Sequence, residues 1–188
     1  SLYVAFKLYR FYARRKLNKL TASNELFAKS ELGLFVALVA KVAKADGRVQ
    51  ELEAQLIGIM FDDISKLFNE KEKARAILKE IFNEEKQKDN DTKQIAQDLN
   101  KLLSRSMLKR RQFLGFLIQL AFIDGGISQD EKKVLHDIMQ ELNIPSSVYD
   151  DIVNKFENMM KNKQQTMSSK EAYEILGVKE SDDMDTIK

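Results

Sequence analysis

Seven glycines and one proline are all that 188 residues contain of those two types. An all-β sandwich or barrel needs turn signals about every 8–12 residues, and Gly and Pro supply many of them. Their scarcity argues against such folds and in favour of long helices. Apolar residues recur at helical spacing along nearly the whole chain. That spacing predicts helices at 2–19, 25–45, 50–68, 70–86, 92–104, 107–123, 129–142 and 146–161. The expected fold is all-α, a compact bundle of about seven helices.

The expected stops have chemical reasons. Asp46-Gly47 and Asp124-Gly125-Gly126 interrupt long helices, because Gly tolerates the left-handed backbone of a helix C-terminus. Pro145 closes the helix ending at Asn143 and opens the next. The polar stretch 84–92 reads as a connection, with Asp91 or Thr92 able to cap the helix after it.

Composition narrows function mostly by exclusion. With 44% apolar and 32% charged residues, the chain has a globular balance. The absence of Cys removes disulfides, thiolate-zinc sites and cysteine nucleophiles. One histidine, His136, leaves no room for a Ser-His-Asp triad or a multi-histidine metal site. No enzyme is expected. Thirty-one basic against 29 acidic side chains is too even to imply a nucleic-acid partner.

Charge is uneven locally. Residues 1–20 hold Lys7, Arg10, Arg14, Arg15, Lys16 and Lys19 and no acid, beside aromatics such as Tyr3, Phe6, Tyr9, Phe11 and Tyr12. Aromatics followed by basic residues mark the cytoplasmic edge of a membrane span, but the apolar stretch is short of the ~20 residues needed to cross. Ser1 in place of an initiating Met points to a segment of a longer protein. The arm reads as the stub below a membrane anchor, in contact with an anionic membrane surface. The alternatives are a first amphipathic helix packed on the domain and a basic arm for RNA.

The sequence also repeats at an offset of 78 residues. Phe35 to Ala40 parallels Phe113 to Ile118, Asp46-Gly47 parallels Asp124-Gly125, Val49 parallels Ile127, and Glu53 parallels Glu131. Each copy reads apolar helix, Asp-Gly-x-(Val/Ile)-x-x-x-Glu, second apolar helix. Two helix–loop–helix units about a pseudo-twofold axis would bury both apolar faces.

The motif is not an EF-hand. With Asp46 and Glu53 at loop positions five and twelve, positions one and three would be Val42 and Lys44. In the second copy they would be Leu120 and Phe122. Three readings of the carboxylates remain. Glu53 and Glu131 can complete capping boxes, for which Ser128-x-x-Glu131 has the right form and Gln50-x-x-Glu53 a poorer one. Asp46 and Asp124 can stop helices through turn hydrogen bonds. Or Asp46, Glu53, Asp124 and Glu131 can converge on a divalent cation, Mg²⁺, Ca²⁺ or Mn²⁺, which suits carboxylates without His or Cys. His136 is expected to be an ordinary surface or core residue. Met139, Met159, Met160 and Met167 are expected to fill gaps, with Met159 and Met160 near an exposed end able to face a peptide.

These residues carry a resemblance. Ala43-Lys44-Ala45-Asp46-Gly47-Arg48-Val49…Glu53 and Phe122-Ile123-Asp124-Gly125-Gly126-Ile127…Glu131 resemble the paired signatures of TerB-like, tellurite-resistance domains, and Ile138 to Pro145 resembles that family's closing helix and turn. The resemblance implies an all-helical interaction or signalling module whose acidic motifs are proposed to bind metal. Glu171 to Val178 resembles the opening helix of a DnaJ J-domain, and Ser181 to Lys188 the start of its second helix. That order is found in membrane-anchored co-chaperones of the DjlA type.

The implied division is an arm or first helix at 1–24, a TerB-like domain at 25–165, and a linker with a truncated J-domain at 166–188. The implied partners are a DnaK-type Hsp70, reached through a complete J-domain, client proteins and a second copy of the chain. The implied place is the cytoplasm, tethered to the cytoplasmic face of the inner membrane. The J-domain's His-Pro-Asp tripeptide is not in this sequence, since His136 is followed by Asp137 and Ile138. A cation sensor built on the paired motifs and an inert helical spacer are the alternatives.

Overall fold

A computed structural model describes residues 19–89, 91–103 and 105–176, with side chains up to residue 163. The helix predicted at 2–19 lies outside the described residues, apart from its last position, as does the second J-like stretch at 181–188. Among the described residues the fold is all-helical: α1 Asn24–Ala28, α2 Glu31–Lys44, α3 Glu51–Ser65, α4 Lys71–Gln87, α5 Thr92–Leu102, α6 Met107–Phe122, α7 Gln129–Glu141 and α8 Ser146–Leu176. Contacts divide the chain after Ile152. The first unit carries α1–α7 and the first turns of α8; the second carries the remainder of α8.

α2 is the hub of the first unit. Ten of its fourteen residues are buried, Leu32 to Ala43 almost without interruption. A helix that is apolar on all sides must be surrounded, and α2 packs against α1, α4, α5, α6 and α7. The one long polar side chain midway along it, Lys41, is largely buried and donates to the carbonyls of Glu85 at 2.8 Å and Lys88 at 2.7 Å. Its ammonium thereby adds a donor to carbonyls at the C-terminal end of α4, where helical partners run out.

Two predicted boundaries shift. The helix expected at 25–45 divides into α1 and α2, because Ser30 caps α2, its hydroxyl accepting from the Gly33 amide at 3.2 Å. Gly33 permits that close turn, since a Cβ there would collide with the Phe27 carbonyl oxygen. The final helix, expected to end at 161, continues to Leu176. Residues 162–176 contain neither Gly nor Pro, so nothing in the backbone stops it.

The repeat is structural. Glu31 and Lys109, equivalent at the 78-residue offset, form an ion pair at 3.4 Å. Phe35 and Phe113, also equivalent, pack with ring centroids 4.5 Å apart and planes tilted by 39°. Equivalents meet equivalents only beside an axis relating the two copies. The flanking contacts obey the same relation, since α2 packs on α7 and α6 on α3. Both first helices end alike, with the Gly47 amide donating to the Lys44 carbonyl at 2.8 Å and the Gly125 amide to that of Phe122 at 3.1 Å. Gly47 (φ 103°) and Gly125 (φ 121°) occupy left-handed backbone, as the sequence predicts. α7 ends in a Schellman turn: Asn143 takes φ 52° and the Ile144 amide reaches back to Met139 at 3.1 Å.

Candidate functional site

The two acidic loops start the second helix of each repeat. Gln50 and Ser128 have extended backbones and sit at the N-caps of α3 and α7. In each loop the glutamate three residues on turns back: the Gln50 amide donates to Glu53 Oε2 and the Ser128 amide to Glu131 Oε2, both at 2.7 Å. Ser128 adds the reciprocal bond, its hydroxyl accepting from the Glu131 amide at 3.1 Å. The capping role is therefore present for both glutamates, including the one beside Gln50.

Burial separates the four carboxylates into two kinds. Asp46 and Asp124 are exposed, whereas Glu53 is 1% and Glu131 3% exposed. Burial pushes the Glu53 carboxyl up to about 7, against the pull of the Gln50 amide, and the charges of Glu131, Asp124 and Asp46 push the same way. Glu131 is raised for the same leading reason, opposed by hydrogen bonds from Ser128. The structure thus brings all four predicted residues into one electrostatic neighbourhood. It does not arrange them as a ligand cage: among the described residues no three His, Cys, Asp or Glu side chains are grouped to hold a metal ion.

Of the remaining candidates, His136 is exposed on α7. Met139 is buried and fills the core as expected, but Met159 is 52% exposed and fills no gap.

Sequence reasoning missed a groove of about 360 Å³ between α3 and α4, which begins beside the first acidic loop at Gln50. Ile57, Phe61 and Phe82 form its apolar floor, with Phe61 and Phe82 meeting edge to face at 6.0 Å. Gly58 leaves open space where a side chain would stand. Arg75, Lys79 and Lys86 rim it. Arg75 pairs with Asp62 at 2.6 Å, and the Lys86 ammonium lies 5.7 Å from the Phe82 ring centre. The signal for this face was in the sequence: positions 75, 79, 82 and 86 share one side of a helix.

Comparison with known proteins gives a family and a set of relatives. The family described as tellurite resistance protein TerB matches residues 34–168. A protein named Co-chaperone protein DjlA from Vibrio vulnificus is 33% identical over 110 residues, covering 58% of this chain and 37% of that protein. The protein of that name from Shewanella oneidensis is 26% identical over 159 residues, 80% of this chain and 59% of its own. The one from Haemophilus influenzae is 23% identical over 204 residues, 90% and 66%. The chain therefore spans about a third to two thirds of the length of these relatives. No solved structure matches.

Proposed function

This chain belongs to the TerB family, and from that premise we propose that it is the non-enzymatic interaction module of a DjlA-like co-chaperone. The observation that carries the reading is the TerB match across 34–168 combined with relatives named for co-chaperone activity. In this reading the module recruits client proteins or a second copy of itself, while a J-domain engages a DnaK-type Hsp70. The groove between α3 and α4 suits the client role, since an amphipathic segment docks its apolar face into such a floor. Its basic rim favours an acidic flank on that segment. Helical backbone at Glu171–Leu176, the stretch that resembles the J-domain's opening helix, supports the chain order.

Placement at the cytoplasmic face of the inner membrane rests on the basic, aromatic residues 1–20. Among the described residues no helix is long and apolar enough to cross a membrane.

ATP hydrolysis by a DnaK-type Hsp70 tests the reading. Residues 1–188, without His-Pro-Asp, leave the rate unchanged, and a chain carrying a complete J-domain raises it. The same longer chain with Gly58→Trp, which fills the groove, still stimulates Hsp70 but loses the extra stimulation that a client provides. Failure of the complete chain to stimulate would sink the proposal.

The nearness of Asp46 and Asp124 to the two buried glutamates, whose carboxyls their charges help to push up, favours a second reading, cation binding at Asp46, Glu53, Asp124 and Glu131. The arrangement offers no three-residue cage, so it fits only a hydrated hard cation held by one or two carboxylates, as Mg²⁺ commonly is. Millimolar Mg²⁺, Ca²⁺ or Mn²⁺ would raise the melting temperature, and Glu53→Gln would abolish the rise. An unmoved melting temperature removes this reading.

A further inference from the structure

We propose that the corner joining α5 to α6 is a docking surface for an anionic lipid membrane. Residues 101–111 contain Lys101, Arg105, Lys109, Arg110 and Arg111 and no acidic residue. Beyond residues 1–20 the chain carries 25 basic and 29 acidic side chains, so this basic run stands against the local trend. Three large apolar side chains at the same corner face solvent: Leu102 at 43%, Met107 at 38% and Leu108 at 59% exposure. Folding the domain does not account for them, because neighbouring Leu103 already supplies the buried anchor.

The corner is held as a unit. The Ser106 amide donates to the Leu103 carbonyl at 3.2 Å, closing the turn. Arg110 Nε donates to Asn100 Oδ1 at 2.8 Å, strapping the first turn of α6 to the last turn of α5. Part of the positive charge is answered within the protein, since Lys101 pairs with Asp98 at 3.0 Å and Lys109 with Glu31 at 3.4 Å. Arg105 and Arg111 are exposed. A net positive corner therefore surrounds exposed Leu and Met.

That pairing of chemistries selects a lipid surface. Apolar side chains enter the boundary between headgroups and acyl chains while basic ones stay among anionic headgroups. A peptide partner is better served by a groove, whereas a helix–helix turn presents side-chain tips. The proposal builds on the membrane-proximal placement above and adds a second contact: the domain body lies against the same surface that residues 1–20 reach.

The chain contains no Trp, so Leu108→Trp in residues 1–188 gives a single fluorescent reporter at the corner. On vesicles containing phosphatidylglycerol its emission shifts to the blue; on pure phosphatidylcholine vesicles it does not. Arg105→Gln with Arg111→Gln lowers partitioning onto the anionic vesicles by about 30-fold at low salt, each basic residue near the surface contributing roughly a fivefold change. Both sites are exposed, and an unchanged melting temperature confirms that the fold is intact.

If the chain binds the vesicles but the Trp emission stays put and the double variant binds equally well, residues 1–20 alone make the contact. The corner proposal is then overturned, while the membrane-proximal placement stands. If the unmodified chain does not bind, both fall. If the double variant loses binding to polyglutamate but not to vesicles, the corner recognises an acidic protein and the lipid assignment is overturned.

Discussion

The two acidic loops perform the same local task with unequal means. Each turns a glutamate back onto the amide at the start of its helix, at the same 2.7 Å. The second loop has Ser128, whose short hydroxyl accepts from the Glu131 amide at 3.1 Å. The first has Gln50, a residue type outside the preferred N-caps. Glu53 is left with a carboxyl raised to about 7, while Glu131 is opposed in its rise by two kinds of hydrogen bond from Ser128. The two copies share their backbone geometry and differ in the side chains that support it. The less supported copy is where proton sensitivity should appear.

The largest test strikes the axis that makes the loops comparable. Phe35 packs against both Phe113 and Phe116, with centroids 4.5 and 5.6 Å away. Phe35→Ala should cost about 3–5 kcal/mol in denaturant unfolding, and Phe113→Ala should fall at the lower end of that range. A reversed order would mean that the two halves do not share one core at this point.

Next in size is the cap itself. Glu131→Ala should cost about 0.5–2 kcal/mol, whereas Glu131→Gln, whose side-chain oxygen still accepts the Ser128 amide, should be close to neutral. Equal losses from both substitutions would show that the negative charge, rather than the hydrogen bond, is what stabilises this loop.

A separate effect appears as a tilt with pH. The folded-state carboxyl of Glu53 stands above its ordinary 4.5, so the folded protein retains a proton that the unfolded chain has released. The resulting stabilisation is complete below about pH 4.5 and is lost as pH rises through 7. Glu53→Gln should melt alongside the unmodified chain near pH 4.5 and above it at pH 8. A constant gap between the two melting curves would contradict the raised carboxyl.

Smallest is the exchange of caps. Gln50→Ser should stabilise the first loop by about 0.5–1 kcal/mol, and Ser128→Gln should weaken the second by a similar amount. If neither thermal unfolding curve moves, the asymmetry between the loops has another origin.

Much of this architecture was legible in the sequence because it is written in local chemistry. Gly47 and Gly125 announce left-handed helix ends, Ser128 and Glu131 announce a cap, and the 78-residue offset announces two related units. Ser30 and Gly33, which divide the first long helix, carried a readable cap signal that an uninterrupted apolar pattern obscured. The long α8 was missed because an absent stop signal is weaker evidence than a present one. Which equivalent residues touch was beyond local reasoning, since Phe35 on Phe113 and Glu31 on Lys109 depend on where the axis falls. The groove needed two helices at once: α4 shows its basic face in sequence, but only packing brings Phe61 and Gly58 of α3 beneath it.

The central position of α2 also has a consequence for the order of synthesis. α2 is complete at Lys44, but the helices that cover it continue to Glu141. At ribosomal rates of about 5–20 residues per second, α2 spends roughly 5–20 s outside its finished surroundings. Over that interval its apolar sides are covered one at a time, by α1 and then α4 and α5, and the faces that meet α6 and α7 wait longest. The nascent chain is then a sticky, incomplete bundle, and the arrival of α6 and α7 is the event that withdraws α2 from misassociation.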